Sequence, residues 1–393
     1  MIKAILNQTK GDRWIWLIII LLSMISVLAV YSATGTLAYK RGVGSESLMF
    51  KHLLFIVLGF VLIYFAHLLD YRYYAGISKV LMVITIPLLI YTLVFGSHVN
   101  DASRWIAIPG TGLTFQTSDL AKLALITYLA RTLTRQQTNI KDFKSTVIWL
   151  LLPMGSIFML IAYANLSTAM MLAGVGVLLM LIGRVSFKQI SIVGGGLMIL
   201  LLVVILLGPR RGVYISRVKA YLHPEMQNSD KTYQQNQAKI AVASGGIMGK
   251  GPGNSTQRNF LPHPYSDFIF AIIIEEYGMF GGFVVVLLYV MLMYRIIKIV
   301  TQAPKAFGAL LAAGLGFSLT IQALANMAVA VNLFPVTGVP LPLISMGGTS
   351  ILFTSIALGI ILSVSKDVEE YKLEAEQNNK EEKIIVGEIP AMA

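Results

Sequence analysis

Residues 190–208 read ISIVGGGLMILLLVVILLG, and none of these nineteen positions is charged. A helix that crosses the hydrocarbon core of a membrane needs about 20 predominantly apolar residues. Only helices and closed barrels span lipid, because every backbone polar group must be bonded internally there. A barrel strand alternates apolar and polar positions, and this stretch does not. We therefore expect a transmembrane helix at 190–208.

Nine further apolar stretches accompany this one, so the pattern extends over nearly the whole chain. The chain has 393 residues, 56% of them hydrophobic and 13% charged, whereas a soluble protein carries about 25% charged residues. The sequence predicts an all-α polytopic membrane protein, a bundle of about ten transmembrane helices with one large extracytoplasmic loop. The ten stretches are 14–33, 48–68, 77–96, 118–133, 146–163, 167–184, 190–208, 267–300, 306–331 and 344–365.

The domain organisation follows from the same pattern. Residues 1–365 are predicted to form a single ten-helix membrane domain that includes the long loop 209–266. The tail 366–393 holds eight acids and four lysines with little apolar content until its last residues. Such a composition cannot bury enough apolar surface to fold, so a disordered cytoplasmic tail is expected.

The distribution of Lys and Arg predicts the orientation. With the N-terminus inside, the inner segments between spans hold fourteen basic residues and the short outer segments hold four. The positive-inside rule then places both termini in the cytoplasm. The loop 209–266 lies outside, with eight basic residues, two acids and a net charge of +6.

The net charge of +12 does not indicate nucleic acid, because half of the excess lies in the outer loop. A basic outer surface could hold an anionic substrate or simply attract anionic lipid head groups, and charge alone leaves both open. The chain has no Cys, and its five His are scattered, so a thiolate or His-ligated metal site is not expected. Carboxylates could still hold Mg²⁺ or Mn²⁺ together with water.

Ionisable side chains inside spans are candidates for function because they are expensive to keep there. Asp119 and Lys122 lie three positions apart at the start of the short fourth span, so they share a helix face and can pair. The pair is either a structural ion pair near the outer interface or a direct part of a site.

Three more acids lie in the eighth span. Asp267 begins it directly after the basic loop, where an acid is also a routine helix cap. Glu275 and Glu276 lie two to three turns further on, and adjacent residues diverge by about 100° on a helix. Only one of the two is expected to face a shared site, and pairing with a buried cation is favoured over catalysis.

Glycine-rich segments flank these acids. The stretch 245–255 has the composition of a phosphate-binding loop but lacks the spacing of a P-loop, and could be a flexible turn. The segments 334–342 and 347–350 break two helices at the outer face. Non-helical backbone at that depth is tolerated only where it is buried in protein or lines a polar cavity.

Taken together, five motifs resemble the SEDS family (shape, elongation, division and sporulation), which includes the FtsW and RodA types. In order they are NDASRWI at 100–106, FQTSDLAK at 115–122, the outer-loop positions 233–255, LPHPYSDFIF with EEYG at 261–278, and PVTG through LPLISMGGTS at 335–350. Asp119 stands where the family usually has Glu, a shorter arm that alters the pairing with Lys122. The matches cover nearly the whole chain.

The resemblance implies a peptidoglycan glycosyltransferase that polymerises lipid II at the outer leaflet of the bacterial cytoplasmic membrane. It further implies a class B penicillin-binding protein as partner, within the machinery of division or elongation. The family's essential acid falls on Asp267, which would act as general base in an inverting transfer. The leaving polyprenyl diphosphate needs positive charge, from the basic loop or a divalent ion.

The remaining predicted site residues come from the motifs and the basic loop, as substrate-binding or structural positions. They are Asp119, Lys122, Arg104, Arg210, Arg217, Gln237, Lys239 and Ser345.

Within the family, the chain length and the variants at 264–267 and 345–350 favour the FtsW type, while PVTG at 335–338 is closer to RodA. Two other functions compete with the enzyme. A flippase for lipid-linked precursors explains the basic outer face equally well, but alternating access favours sites at the midplane between repeats. A scaffold that only binds division or elongation proteins leaves Asp119, Lys122 and Asp267 without a use.

Overall fold

The computed structural model describes residues 10–99, 102–108, 113–136, 142–222 and 230–387. The first two positions of the NDASRWI motif and both extreme ends of the chain lie outside the described residues. The helices are α1 Arg13–Ala33, α2 Gly35–Arg41, α3 Ser45–Leu68, α4 Arg72–Phe95, α5 Thr117–Arg135, α6 Phe143–Ala164, α7 Leu166–Ile182, α8 Phe187–Leu207, α9 Arg211–Leu222, α10 Asp230–Gly245, α11 Ile269–Gln302, α12 Ala306–Ala330 and α13 Thr349–Gly387. The strands are β1 Ser97–Val99, β2 Ala102–Ile108 and β3 Leu113–Gln116.

Helices occupy all ten of the predicted apolar stretches. Within the described part of the chain, eight are long and apolar enough to cross a membrane: α1, α3, α4, α6, α8, α11, α12 and α13. The helix α7 is apolar but has 17 residues. The helix α5 is 19 residues long and less apolar, since it carries Asp119, Lys122, Arg131 and Arg135. The predicted all-α polytopic membrane fold is confirmed.

A small antiparallel sheet between α4 and α5 was not predicted. Its order is β1-β2-β3, and Trp105 on β2 pairs with Gln116 on β3. Strands of three to seven residues are too short to show the period-two alternation that marks a strand in sequence. The sheet carries Arg104, and β3 leads directly into α5.

The two ends of the bundle differ. At one end, which we call the terminal face, the backbone N–H of Asp12 donates to Ser365 Oγ at 2.7 Å and the Asp12 carboxylate pairs with Arg295. At the other end, the loop face, Arg258 donates to the backbone of Ser32 at 3.1 Å. The start of α1 and the last span therefore meet at one face, as an even number of crossings requires.

The described part of the tail that was predicted to be disordered, residues 366–387, is helical in the structure. The last helix continues without a break through Gly387. Its first acidic turns are bonded to the terminal face, where Asp367 accepts from Arg72 at 2.9 Å and from Tyr71 at 3.0 Å. Arg72 and Tyr71 are distant from Asp367 in sequence. The composition of the tail alone therefore did not reveal that its acids have partners that hold the helix in place.

Candidate functional site

A cavity of about 410 Å³ opens at the loop face. Its lining comes from α3, β2, β3, the segment before α11 and the segment between α12 and α13. The polar and charged residues that line it include Lys51, His52, Arg104, Gln116, His263, Tyr265, Ser266 and Asp267. Asp267 is the acid among the described lining residues, and it is surrounded by groups that can carry positive charge or donate hydrogen bonds.

Asp267 does not cap the helix that follows it. The N-cap position of α11 is Phe268, and no side-chain hydrogen bond caps this helix. Instead, Ser266 Oγ donates to Asp267 Oδ1 at 2.9 Å. Asp267 Oδ2 lies 3.6 Å from where a Cβ on Gly338 would be, and Arg104 Nη1 lies 3.8 Å from the same point. Gly338 has φ 64°, which favours glycine, and the missing side chain leaves room between the carboxylate and the guanidinium.

Three predicted arginines lie together, and two of them, Arg104 and Arg217, are close enough to Asp267 to interact with its charge. Arg104 Nε and Arg210 Nη1 both donate to the carbonyl of Ala164, at 3.0 and 2.6 Å. That carbonyl belongs to the C-terminal residue of α6, where the helix dipole favours cations. Arg217 Nη1 donates to Thr337 O at 3.5 Å, next to Gly338. The α6 terminus and the 337–338 backbone thus hold the guanidinium groups in fixed orientations.

The arginine cluster brings three positive charges together, although its side chains are partly or fully buried. Burial lowers the pKa of Arg104 to about 10, and repulsion from Arg210 and Arg217 contributes, while Asp267 opposes the shift. Burial and repulsion from Arg210 also lower the pKa of Arg217, again opposed by Asp267. Arg104 stays protonated at neutral pH, since its pKa of about 10 is still well above 7. Three cations against one carboxylate make this corner a site for an anion.

Ser345, another predicted residue, supports the segment that carries Asp267. Its hydroxyl donates to Ser266 O at 2.6 Å and accepts from the backbone N–H of Leu341 at 2.8 Å. The neighbouring N–H of Met346 donates to Tyr265 O at 2.9 Å. Ser345 therefore holds the backbone of the site, and its role is structural in this arrangement.

Asp119 and Lys122 form the predicted ion pair, with Nζ and Oδ1 2.8 Å apart. The Asp119 side chain is 3% exposed. The pair borders a separate cavity of about 30 Å³ among α5, α12 and α13 rather than the cavity of Asp267. Lys122 also donates to Gln322 Oε1 at 2.9 Å, so the pair has a link to α12.

The glycine-rich stretch 245–255 surrounds a carboxylate. Glu275 accepts from Lys250 Nζ at 2.6 Å, from Ser255 Oγ at 2.5 Å and from the Thr256 N–H at 3.1 Å. Glu276 accepts from the Ser255 N–H at 3.2 Å. Ser255 lies between the two glutamates and bonds both, and neither glutamate is among the residues that line the cavity of Asp267. The predicted pairing of a glutamate with a cation is confirmed by Lys250.

Two predicted residues lie away from Asp267. Gln237 and Lys239 are on α10, which packs against α11, and neither is among the residues that line the cavity. Lys239 was chosen as a cation of the basic loop and Gln237 from the outer-loop motif of the family, and the sequence did not show which of these side chains turn inward.

Several residues of the site were missed in the sequence. His52 lines the cavity and lies 2.7 Å from Ser26 Oγ, which also donates to Ile344 O at 2.8 Å. Asn326 on α12 donates to the backbone carbonyls of Asp267 and Val339, and Gln322 donates to the carbonyl of Pro340. The available signal was the presence of amides and a histidine within otherwise apolar spans. Among the described residues, no three His, Asp or Glu side chains come together as a metal site.

Comparison with known proteins identifies the family. The model of the cell cycle protein family FtsW/RodA/SpoVE matches residues 12–370. The chain belongs to this family. The match confirms the resemblance to the SEDS proteins and covers every residue of the cavity described above.

Relatives of known name are similar over nearly their full length. The stage V sporulation protein E of Bacillus subtilis is 33% identical over 364 residues, 92% of this chain and 98% of the relative. A probable peptidoglycan glycosyltransferase FtsW of Trichlorobacter lovleyi is 31% identical over 361 residues, 90% and 93% of the two chains. Such relatives agree with the FtsW type that the sequence favoured over RodA.

Solved structures share the fold. A chain of a peptidoglycan synthase complex, from a study of the coordination of polymerisation and crosslinking, aligns with a TM-score of 0.72 at 22% identity. It covers 91% of this chain and 98% of that one. The rod shape determining protein RodA of Thermus thermophilus aligns with a TM-score of 0.63 at 24% identity, covering 91% and 97%. The all-α polytopic fold of these structures is thus the fold found here.

Proposed function

We propose that this FtsW/RodA/SpoVE-family protein is a peptidoglycan glycosyltransferase that polymerises lipid II. The observation that carries the proposal is the position of Asp267, a carboxylate with one side-chain donor, in a cavity beside three arginines. The names of the curated relatives support the same activity. A general base and an anion site side by side are what transfer from a lipid diphosphate requires.

In the proposed reaction, Asp267 takes the proton from the 4-hydroxyl of the acceptor sugar. The hydroxyl oxygen forms a bond to the anomeric carbon of the donor, and the bond from that carbon to the diphosphate oxygen breaks. The electron pair leaves with the diphosphate, and the product bond is β where the donor bond was α. General-base catalysis of this kind contributes typically 10²–10⁴-fold.

The arginine cluster stabilises the leaving diphosphate. Charge that develops on the leaving oxygens meets guanidinium groups already oriented by Ala164 O and Thr337 O, so little reorganisation is needed during the step. Arginine also matches phosphate oxygens through paired N–H groups. A divalent ion, Mg²⁺ or Mn²⁺, held by Asp267 and substrate phosphates would add positive charge to the same corner.

The membrane orientation belongs to the proposal. With both termini in the cytoplasm, the loop face and its cavity open to the outer leaflet of the bacterial cytoplasmic membrane. Lipid II and the growing glycan strand would meet there. A class B penicillin-binding protein is the proposed partner, within the division machinery or that of elongation, and the polymer passes to it for crosslinking. The fold shared with a chain of a peptidoglycan synthase complex supports such a pairing.

A flippase without chemistry is the competing function, and the site does not favour it. Asp267 and the arginine cluster lie at the loop face, whereas alternating access places the substrate site near the midplane of the membrane.

The purified protein, alone and with a candidate class B partner, should be placed in vesicles with fluorescent lipid II. We expect glycan polymer on a gel. Transbilayer movement of lipid II with no polymer in either sample would contradict the proposed glycosyltransferase activity.

A further inference from the structure

Helix α12 carries two buried amides one turn apart, Gln322 and Asn326, which are 5% and 1% exposed. A buried amide costs free energy unless it is hydrogen-bonded, so its partners decide why it is there. Both amides donate to consecutive carbonyls of the segment after Gly338. Asn326 Nδ2 lies 2.8 Å from Val339 O, and Gln322 Nε2 lies 2.9 Å from Pro340 O.

Asn326 makes a second bond, and this one reaches the proposed base. Its Nδ2 donates to Asp267 O at 2.9 Å. The preceding carbonyl, Ser266 O, accepts from Ser345 Oγ at 2.6 Å. The peptide groups on both sides of the Asp267 Cα are therefore held by side chains from other parts of the chain, which limits where the carboxylate can go.

The single amide of Asn326 also sets the position of Asp267 relative to the opposite wall of the cavity. Val339 follows Gly338, the residue against which Asp267 Oδ2 and Arg104 Nη1 both lie. Because one Nδ2 bonds both Asp267 O and Val339 O, it fixes the distance between these two segments. Movement of either segment would change the separation of the carboxylate from the guanidinium.

Gln322 connects this arrangement to the ion pair on α5. Its Oε1 accepts from Lys122 Nζ at 2.9 Å, and Lys122 is in turn paired with Asp119. A continuous polar chain thus runs from Asp119 through Lys122 and Gln322 to Pro340 O. The ion pair lies outside the cavity of Asp267, yet it bonds the residue that holds one wall of that cavity.

We propose that Asn326 and Gln322 are positioning residues of the transfer reaction, and that the Asp119–Lys122 pair acts on the reaction through them. The inference rests on the proposed function, because it assigns these residues to Asp267 as general base. Neither amide touches the substrate. A displacement of about 1 Å at a reacting group can lower the rate roughly 10²-fold, with little change in ground-state binding.

The test is steady-state polymerisation of lipid II by the purified protein with its class B partner, together with thermal melting. We expect Asn326→Ala to lower kcat roughly 10²-fold and to leave KM within about twofold. Gln322→Met should lower kcat roughly tenfold, and Gln322→Glu should do the same, since it keeps the acceptor for Lys122 but loses the donor to Pro340 O. Thr320→Val is the matched control, because Thr320 is equally buried on α12 but its hydroxyl donates to backbone carbonyls of its own helix, Gly316 O and Phe317 O.

Parent-like kcat in Asn326→Ala, or a loss of melting temperature with no loss of kcat, would overturn the inference. So would an equal loss of kcat in Thr320→Val, which would point to general disturbance of α12. If Asn326→Ala does not fold, the two Gln322 variants test the inference in its place. A parent-like kcat in Gln322→Glu would then contradict the positioning role of Gln322. Asp267→Asn is measured in parallel. An active Asp267→Asn protein would contradict the proposed function. An inactive Asp267→Asn protein together with a fully active Asn326→Ala protein would contradict only the positioning role.

Discussion

Asp267 and Glu275 are carboxylates only eight residues apart, and their surroundings differ in kind. Glu275 is fully buried and accepts bonds from Lys250, Ser255 and Thr256, so its oxygens are occupied. Asp267 is partly exposed and accepts from the adjacent Ser266 hydroxyl, while its other oxygen lies near Gly338. A carboxylate that is occupied on all sides stabilises structure, and one with a spare oxygen in a cavity can accept a proton.

The sharpest test of the structural half of this comparison is Glu275→Gln. The amide nitrogen would face donors, and Lys250 would lose its ionic partner. A hydrogen bond to a charged group contributes about 1.5–3 kcal/mol, and Glu275 accepts several of them. We expect a large drop in melting temperature and low yield, measured against Glu374→Gln on the exposed part of α13. Normal stability with lost polymerisation would place Glu275 in the chemistry instead.

Lys122→Ala should have the next largest effect on stability. It leaves the Asp119 carboxylate, which is 3% exposed, without its cation, at a cost of about 3 kcal/mol. Melting of the purified protein checks this. Asp119 Oδ2 already has no hydrogen-bond partner among the described residues, so further loss should be poorly tolerated. A Lys122→Ala protein of unchanged stability and no activity would mean that the pair serves the reaction rather than the stability of the fold.

Arg104→Gln should separate function from stability. The buried charge is repelled by Arg210 and Arg217, so its removal should leave the melting temperature unchanged or raise it. Loss of one donor to a developing charge typically lowers the rate about 10²-fold. Measured kcat/KM for lipid II should fall accordingly. If kcat/KM stays near the parent value and stability falls, Arg104 serves only to hold the end of α6.

Asp119→Glu should have the smallest effect. The SEDS family usually carries Glu at this position, and the longer side chain can still reach Lys122 one turn away. We expect a melting temperature and a polymerisation rate close to those of the parent, because the exchange keeps the ion pair. A strong loss in either measurement would mean that the 30 Å³ cavity beside the pair is shaped for the shorter acid.

The sequence was sufficient for the features that depend on local composition. Continuous apolarity located the spans, and Asp267 was selected as a candidate site residue because it follows the basic loop directly. Features that depend on partners distant in sequence were not accessible. The helical tail relies on Arg72 and Tyr71, which contact Asp367 across nearly 300 positions of sequence. The sheet at 97–116 is too short to show a period.

Within the site, the charged residues were easier to predict from the sequence than the uncharged residues that hold the backbone in place. Arg104, Arg210 and Arg217 were selected as cations and lie together, and Arg104 lines the cavity, whereas Lys239, another selected cation, does not line it. Gln237 was selected from the outer-loop motif of the family and does not line it either. Asn326 and Gln322 are uncharged and lie in an apolar helix, so nothing marked them as neighbours of Asp267. Their partners are backbone carbonyls, which every residue has, and only the fold shows which carbonyls are near.

The most direct measurement compares Asp267→Asn with the parent in lipid II polymerisation and in thermal melting. Asparagine is nearly isosteric and can still accept from Ser266, but it cannot take the proton from the acceptor hydroxyl. The account predicts a loss of polymerisation of at least 10²-fold with the melting temperature and partner binding unchanged. Polymerisation within a few-fold of the parent would contradict general-base catalysis by Asp267.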